Sequence, residues 1–327
     1  MFLIIAEIKK INNFKPTKLG GEVKAEKIPT LSVSNYGVQL STDSMLWEDF
    51  RFHTVDTFHI NKMEDYIRFS RLKELPLPPH RKEVFDFIFL TGGTVVRSKG
   101  LDMYEFSANN FFFLPALQVT DMKSVSAETT GYYCHFNSEI FYKKLFQKEL
   151  LQQFSFLHFT GNPIVEIDEK AKDFIIRLLQ RLEQEYRSDE KCNTDFVASL
   201  LLTLFFEINR FVQPLKSTSD NAALRIANEY KKLLQQKIFE KQKVSSYADM
   251  LAVSPEHLNR CVKSAFGKTA SHYLDEMLLL EAKVLLKQSA LNVSEIAYKI
   301  GKENPGDFIR FFKSKTGITP KQYRNLD

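Results

Sequence analysis

Two groups of polar side chains, fifty residues apart, offer hydrogen-bond donors and acceptors that could pair with nucleic-acid base edges or with phosphates. Arg260 and Arg310 are the most informative, because a guanidinium can bind O6 and N7 of guanine together. Each arginine is followed by a lysine three positions along the chain. The candidate contact residues defined by this spacing are Glu256, Asn259, Arg260, Lys263, Gly306, Asp307, Arg310 and Lys313.

Both groups belong to a sequence unit that occurs twice, at 244–273 and at 293–323. Ala248 matches Ala297 at an offset of 49, whereas later residues match at 50, so the second copy has one extra residue in its turn. Two copies are too few for a solenoid, and we interpret them as two similar helical subdomains. The residues that recur at the offset of 50 are Lys263, Ser264, Gly267, Thr269 and Tyr273, repeated as Lys313, Ser314, Gly317, Thr319 and Tyr323.

Each copy has the pattern of two helices separated by a short turn. The first helices are predicted over 244–251 and 293–300. The second helices are predicted to begin after Ser254 and Asn304, because both residues cap helices and each precedes a proline, which the first helical position tolerates. A polar face near a helix N-terminus is what reading of the major groove requires. A solvated helix face is the alternative, and matching arginines in both copies favour base reading.

The segment between the copies, 271–288, is apolar around much of its circumference. We expect a helix that is buried on more than one side. At about 1.5 Å per residue it would span roughly 27 Å. Such a helix could hold the two polar faces near the ~34 Å repeat of successive major grooves on one side of a duplex.

Over about 222–326 the chain resembles the AraC/XylS family of transcriptional regulators. The resemblance implies a DNA-binding domain of seven helices with two helix-turn-helix units, in which the candidates above face the DNA. The matching residues are Ala248, Ser254, Leu258, Gly267, Tyr273, Glu281, Ala282, Lys283, Leu285, Leu286, Ile296, Ala297, Gly301, Phe308, Phe312, Lys313, Gly317, Thr319, Pro320, Tyr323 and Arg324.

The second copy departs from the family pattern in its turn and in its polar face. Lys302 occupies a position that usually carries an aromatic residue, and Gly306 and Asp307 offer no donor side chain. We therefore expect the second unit to hold mainly phosphates and to contribute affinity more than base specificity.

Charge and length agree with a chain of two parts. A length of 327 residues predicts about two domains, and a hydrophobic fraction of 44% is enough for globular cores. Residues 222–327 contain 18 Lys and Arg against 11 Asp and Glu, whereas the remainder contains 27 against 29. The whole positive excess therefore coincides with the duplicated unit, as binding to phosphates requires.

Residues 79–136 contain short β-type runs separated by turn signals. This pattern predicts a small sandwich or barrel. The segment resembles the cupin-like sensor domain of many AraC-family regulators, which implies a small-molecule effector or a dimerisation platform. The runs are Val84–Leu90, Thr94–Arg97, Phe111–Leu114 and Gly131–Phe136.

His80 and His135 raise the question of a metal site, since many cupins are metalloenzymes. Such a site normally has two close histidines, a carboxylate and a further histidine, and neither residue has these neighbours in the sequence. We expect His80 to lie near a pocket mouth, His135 to be structural, and no metal or cofactor to be bound. The spacing of His53 and His59 requires no metal role. A metal-dependent cupin enzyme with a DNA-binding appendage is the alternative function.

Two amphipathic patterns, at 170–187 and 194–212, predict a helical hairpin that packs on the β-rich part, presents a face for dimerisation, or does both. The polar segment 214–219 is the expected linker. The predicted fold is α+β. It has a β-rich cupin-like barrel domain over 1–165, the hairpin over 166–215, a linker over 216–221 and an all-α DNA-binding domain with two helix-turn-helix units over 222–327.

Other features narrow the class of protein. Cys134, Cys192 and Cys261 form no CxxC pair, which suits a reducing cytoplasm. The apolar start of the chain is too short for a signal peptide or a membrane span, and more suited to a strand. The sequence shows no Ser/His/Asp, phosphate-loop or paired-carboxylate motif, and none of the basic tails of a DNA-compacting protein.

These observations predict a cytoplasmic bacterial transcription regulator rather than an enzyme. We expect a homodimer that binds double-stranded promoter DNA, contacts RNA polymerase and responds to a small-molecule effector or to dimerisation.

Overall fold

The computed structural model describes residues 57–65, 67, 78–141, 150–188, 192–212 and 222–326. These residues belong to two compact units, one within Thr30–Pro214 and the other within Leu215–Asp327. Some expectations fall outside the described residues. They are the strand at the apolar start of the chain, a further strand suggested by weak alternation over 31–41, the role of His53, and the linker at 214–219. In the described part of the chain, no helix combines the length and hydropathy needed to cross a membrane.

The strands of the β-rich unit are shared among three antiparallel sheets. The largest sheet has the order β1-β9-β3-β6-β10, a second has the order β5-β4-β8, and β2 pairs with β7. The strands in the described residues are β1 Phe58–Lys62, β2 His80–Arg81, β3 Phe85–Gly92, β4 Thr94–Lys99, β5 Asp102–Ser107, β6 Asn110–Leu114, β7 Val119–Thr120, β8 Met122–Val125, β9 Thr130–Phe136 and β10 Ile164–Glu166.

The largest sheet is apolar on both faces, because successive residues of a strand point to opposite sides. Phe87 and Phe89 of β3 belong to the core on one face, and Ile88 and Leu90 belong to the core shared with the β5-β4-β8 sheet. The described strands therefore form a layered sandwich and do not close into the predicted barrel. The reason is local: the turn at Gly93 joins β3 and β4, which belong to different sheets.

Two helices cover the other face of the largest sheet, α1 Glu169–Arg187 and α2 Thr194–Asn209. Their starts are capped, since Asp168 accepts a hydrogen bond from Ala171 N and Asn193 accepts from Phe196 N. Phe205 of α2 lies within 6.5 Å, between ring centroids, of six phenylalanine rings. The structure thus shows the predicted hairpin packed on the β-rich part.

The second unit is helical throughout its described length and contains the seven helices that the family resemblance implies. The helices connect through short turns, and the long α6 lies between the two copies of the repeat. The helices are α3 Ala222–Lys237, α4 Val244–Met250, α5 Pro255–Phe266, α6 Ala270–Gln288, α7 Val293–Lys299, α8 Pro305–Thr316 and α9 Pro320–Arg324.

A buried ionic cluster links strands of the different sheets in the first unit. Asp86 of β3 forms a bidentate pair with Arg97 of β4, at 2.7 and 2.8 Å, and accepts from Lys82 Nζ at 2.9 Å. Arg97 Nε also donates to Oγ1 of Thr120 at 3.1 Å. The two cations hold the pKa of Asp86 well below its usual range, against the opposing effect of burial. Loss of either cation would leave a buried charge without its partner, which is strongly destabilising.

Buried histidines surround this cluster. The rings of His59 and His135 stack with centroids 5.6 Å apart, and His80 Nδ1 donates to the Pro78 carbonyl oxygen at 2.9 Å. His80 is buried and hydrogen-bonded. His135 is a buried core residue, as the structural role predicted for His135 requires. Burial, assisted by the charge of Lys82, lowers the pKa of His59 and of His80 to about 3. The fold therefore contains these imidazoles in their neutral form.

We predict that the first unit loses stability when the pH falls from 7 to 5. An unfolded histidine has a pKa near 6.5, so between pH 6.5 and 3 the unfolded state binds more protons than the folded state. Between pH 7 and pH 5 the free energy of unfolding should fall by about 2 kcal/mol for each of His59 and His80. Urea unfolding followed by circular dichroism measures it, and His59→Phe should reduce the pH dependence. Equal stability at both pH values would contradict the buried, neutral assignment.

Candidate nucleic-acid interface

The two repeat copies fold as equivalent helix-turn-helix units. In the first turn Val253 N donates to the Ala248 carbonyl oxygen at 3.0 Å, and in the second Lys302 N donates to Ala297 at 2.9 Å. These partners keep the offset of 49, so the extra residue of the second copy is Glu303, after the equivalent bonds. The insertion therefore lies at the end of the turn, just before the second helix, and leaves the equivalent backbone hydrogen bonds intact.

The second helix of each unit, α5 or α8, has a well-defined start and end. Ser254 Oγ accepts from His257 N at 3.1 Å, and Asn304 Oδ1 accepts from Gly306 N at 2.7 Å. These bonds satisfy amide groups that otherwise lack partners in a first turn. Both helices end at glycines in the left-handed region, which side chains disfavour: Gly267 (φ 72°) and Gly317 (φ 81°).

One face of each of these helices is buried as the sequence pattern predicts. The core of the C-terminal helical unit contains Leu258 and Val262 of α5 and Phe308 and Phe312 of α8. Phe311 has the same helical spacing as these residues, but it is only half-buried, and the ammonium of Lys302 lies 4.8 Å from its ring centroid. The opposite face is left for solvent or for a partner.

The long helix α6 is attached to the first subdomain at its N-terminal end. The Tyr230 hydroxyl donates to the Ala270 carbonyl oxygen at 2.8 Å, and the rings of Tyr230 and Phe266 lie beside Tyr273. A hydrogen bond to the backbone and ring contacts together fix the start of α6 to the first subdomain.

The C-terminal end of α6 is attached to the second subdomain. Arg324 Nε donates to the Leu286 carbonyl oxygen at 3.1 Å, and its Nη2 donates to Leu291. In return Lys287 Nζ donates to the Arg324 carbonyl oxygen at 3.3 Å. Both ends of α6 are thus fixed to the units that they join, as expected for a helix buried on more than one side.

The candidate residues of the first unit lie on the outer face of α5, with different local contacts. Glu256, Arg260 and Lys263 are exposed. Hydrogen bonds from its own backbone amide and from Ser254 lower the pKa of Glu256, so its carboxylate is held at the helix start. Arg260 Nη2 lies 3.3 Å from His257 Nδ1, which makes the imidazole an acceptor for the guanidinium.

Asn259 is half-buried and has a structural contact. Its Oδ1 accepts from Ala270 N, the first amide of α6, at 2.9 Å. The side chain therefore links α5 to α6, and its amide nitrogen remains the group that could reach a base.

The candidate residues of the second unit lie on the outer face of α8. Asp307, Arg310 and Lys313 are exposed, and Gly306 is half-buried. Asp307 Oδ1 accepts a hydrogen bond from Arg310 Nη2. The structure thus brings each unit's candidates onto one face, which extends from the first turn of the helix to its last turn.

Sequence reasoning missed two side chains on these faces. His257 contacts Arg260, and Ile309, which is 38% exposed, occupies the position in the second unit that corresponds to Asn259 in the first. The repeat itself could have identified both, because His257 and Asp307 also correspond at the offset of 50.

Among the residues that the structure describes, the buried histidines His59, His80 and His135 are not grouped with further metal ligands. All three histidines lie near Lys82, His59 also lies near Arg187, and the other two lie near Arg97; these charges oppose that of a metal ion. In the ranges that the structure describes, no three His, Cys, Asp or Glu side chains are grouped to hold a metal.

Residues 247–326 match the family described as a helix-turn-helix domain. The chain is 24% identical over 252 residues to the uncharacterized HTH-type transcriptional regulator YisR of Bacillus subtilis (strain 168), covering 74% of this chain and 86% of YisR. It is 29% identical over 153 residues to the HTH-type transcriptional activator RhaR of Yersinia pseudotuberculosis serotype O:1b, covering 45% of this chain and about half, 51%, of RhaR. The structure of ToxT from Vibrio cholerae resembles that of this chain with a TM-score of 0.41 and 13% identity, over 82% of this chain and 98% of ToxT.

The C-terminal unit is therefore a DNA-binding domain with two helix-turn-helix units. It is of the AraC type, and the chain's homologues are AraC-family regulators, which confirms the resemblance seen in the sequence.

We predict that Asn259→Ala destabilises the C-terminal unit by about 1 kcal/mol, because the first amide of α6 loses its acceptor. Asn259→Asp keeps an acceptor oxygen at that position and should retain stability. Thermal unfolding of the two variants provides the measurement. Equal stability of Asn259→Ala and the unsubstituted protein would show that the contact does not support α6.

Proposed function

We propose that this protein is a transcription regulator that binds promoter DNA through α5 and α8. The observation that carries the proposal is the pair of equivalent recognition helices, each with an exposed arginine, held by α6. The net charge of this unit, 18 basic against 11 acidic residues, supports binding to a polyanion. The relatives YisR and RhaR are named as transcriptional regulators, which supports a role in regulation rather than in catalysis.

We propose that Glu256, Asn259, Arg260, Lys263, Gly306, Asp307, Arg310 and Lys313 form the DNA-contacting surface. In this arrangement α5 and α8 enter successive stretches of the major groove. Lys263 and Lys313, one turn farther along each helix, would bind phosphates beside the groove.

The N-terminal β-rich unit is proposed to control this binding through a small-molecule effector or through dimerisation. Phe174 of α1 and Phe206 of α2 are 40% and 49% exposed, so the hairpin offers apolar side chains to a second protomer. We further propose that the protein is a homodimer in the cytoplasm and that it contacts RNA polymerase.

The proposal predicts that Arg260→Ala weakens binding to the preferred site by roughly 1–3 kcal/mol and relaxes base preference at one position. Titration of labelled duplexes, one with the preferred site and one of random sequence, measures the difference. If affinity falls equally for both duplexes, Arg260 contacts phosphate and does not read a base.

DNA binding should also depend steeply on salt. If lysines and arginines neutralise about five phosphates, log affinity should fall against log salt concentration with a slope of roughly −4 to −5. The full chain and residues 222–327 can both be titrated at several salt concentrations. A flat salt response would contradict binding to the phosphate backbone.

A further inference from the structure

The arginine of the second recognition helix has a defined orientation. The Asp307 carboxylate pairs with Nη2 of Arg310, three residues farther along α8. The other terminal nitrogen, Nη1, lies 3.8 Å from the point where a Cβ on Gly306 would stand. The guanidinium therefore lies back over the first turn of α8, which is the end of a recognition helix that contacts bases.

A guanidinium in this place needs a compensating charge, because the N-terminal end of a helix carries a partial positive charge. Asp307 supplies that charge from the first turn of the same helix. Asp307 and Arg310 are 52% and 76% exposed, so the pair adds little to the stability of the fold. Its consequence is preorganisation: Arg310 loses less side-chain freedom when it binds a base.

Ile309 is a second and independent indication that α8 contacts bases. Positions 306, 309, 310 and 313 share one face of the helix, because residues at i, i+3, i+4 and i+7 lie on one side. Ile309 is 38% exposed on this face. An aliphatic side chain gains little from a phosphate, whereas it can pack against the methyl group of thymine in the major groove.

The first recognition helix, α5, also places an acceptor beside its arginine, but the acceptor is an imidazole and not a carboxylate. His257, at the position that corresponds to Asp307, places Nδ1 3.3 Å from Nη2 of Arg260. If Nδ1 accepts from the guanidinium, Nε2 carries the proton, and it lies 3.6 Å from Sγ of Cys261. Both recognition helices therefore place an acceptor one turn before the arginine.

We propose that Asp307 is a specificity-determining positioning residue, which holds Arg310 so that the second unit reads a guanine. The role differs from the phosphate-binding role expected for this unit from the absence of donors at Gly306 and Asp307. The proposal rests on the DNA-binding function proposed above and deepens it, since both units then contribute base specificity.

The test is selection of bound sequences from a randomised duplex pool by the full-length protein. The variants Arg310→Ala and Arg260→Ala assign each selected half-site to its unit, because each removes preference from one half-site. Asp307→Ala removes the acceptor, and Asp307→Asn keeps an acceptor oxygen without the charge. Thermal unfolding of all variants confirms that they fold.

The unsubstituted protein is expected to select guanine at one position of the half-site assigned to Arg310. Asp307→Ala should reduce that preference about tenfold, at the lower end of what a complete bidentate base contact contributes, because Arg310 remains but is no longer held. Its affinity for random duplex should stay equal or rise, because an acidic side chain has been removed. Asp307→Asn should restore part of the guanine preference, a rescue that a purely structural role would not produce.

Two results would overturn the positioning role while DNA binding remains. One is an unchanged guanine preference in Asp307→Ala, and the other is a half-site without base preference under the Arg310 unit of the unsubstituted protein. Selection of no sequence at all by the unsubstituted protein would instead refute the proposed function and this inference with it.

Discussion

Burial of α6 on more than one side is the constraint on which the DNA-binding unit depends. A helix of 19 residues spans about 28 Å, and its two ends are fixed by hydrogen bonds to different subdomains. Tyr230 binds the carbonyl group of Ala270 at one end, and Arg324 binds that of Leu286 at the other. Because both attachments use backbone groups of α6, each subdomain is attached to a defined end of the same helix.

The repeated arrangement on this axis explains why neither unit needs an extensive polar surface of its own. Each recognition helix presents one arginine near its start, and a neighbouring acceptor, His257 or Asp307, directs it. If α5 and α8 bind DNA as proposed, their two contacts combine without the entropic penalty of ordering a linker. In the β-rich unit a single side chain also joins separate elements, because the Asp86 carboxylate pairs with Arg97 and links strands of different sheets.

The helical unit could be predicted from the sequence far better than the β-rich unit. Caps such as Ser254 and Asn304 and the glycines 267 and 317 act locally, so their sequence signals define the helix boundaries to within one or two residues. The strands β5 and β10 were not predicted, because their patterns are short or weak. The partner of β10, β6, is also distant in the sequence, whereas β5 forms a hairpin with the adjacent β4. The sequence did not decide between a sandwich and a barrel for a related reason, since the turn at Gly93 does not reveal whether the next strand pairs beside β3 or crosses to another sheet.

Side-chain partners could be predicted least. Asn259 was assigned to base contact because its position faces outward in the pattern, and the structure also gives it a bond to the start of α6. The contact of Asp307 with Arg310 depends on rotamers, which residue types alone do not determine.

The central claim is that α5 and α8 bind two stretches of one DNA face at a separation that α6 determines. It is tested most directly by measuring the affinity of the full-length protein for its selected site after insertion of about 5 or 10 base pairs between the two half-sites. A rigid connection predicts that both insertions reduce affinity to that of a single half-site, including the longer one that restores helical phase. Affinity that is unchanged by either insertion would contradict this account.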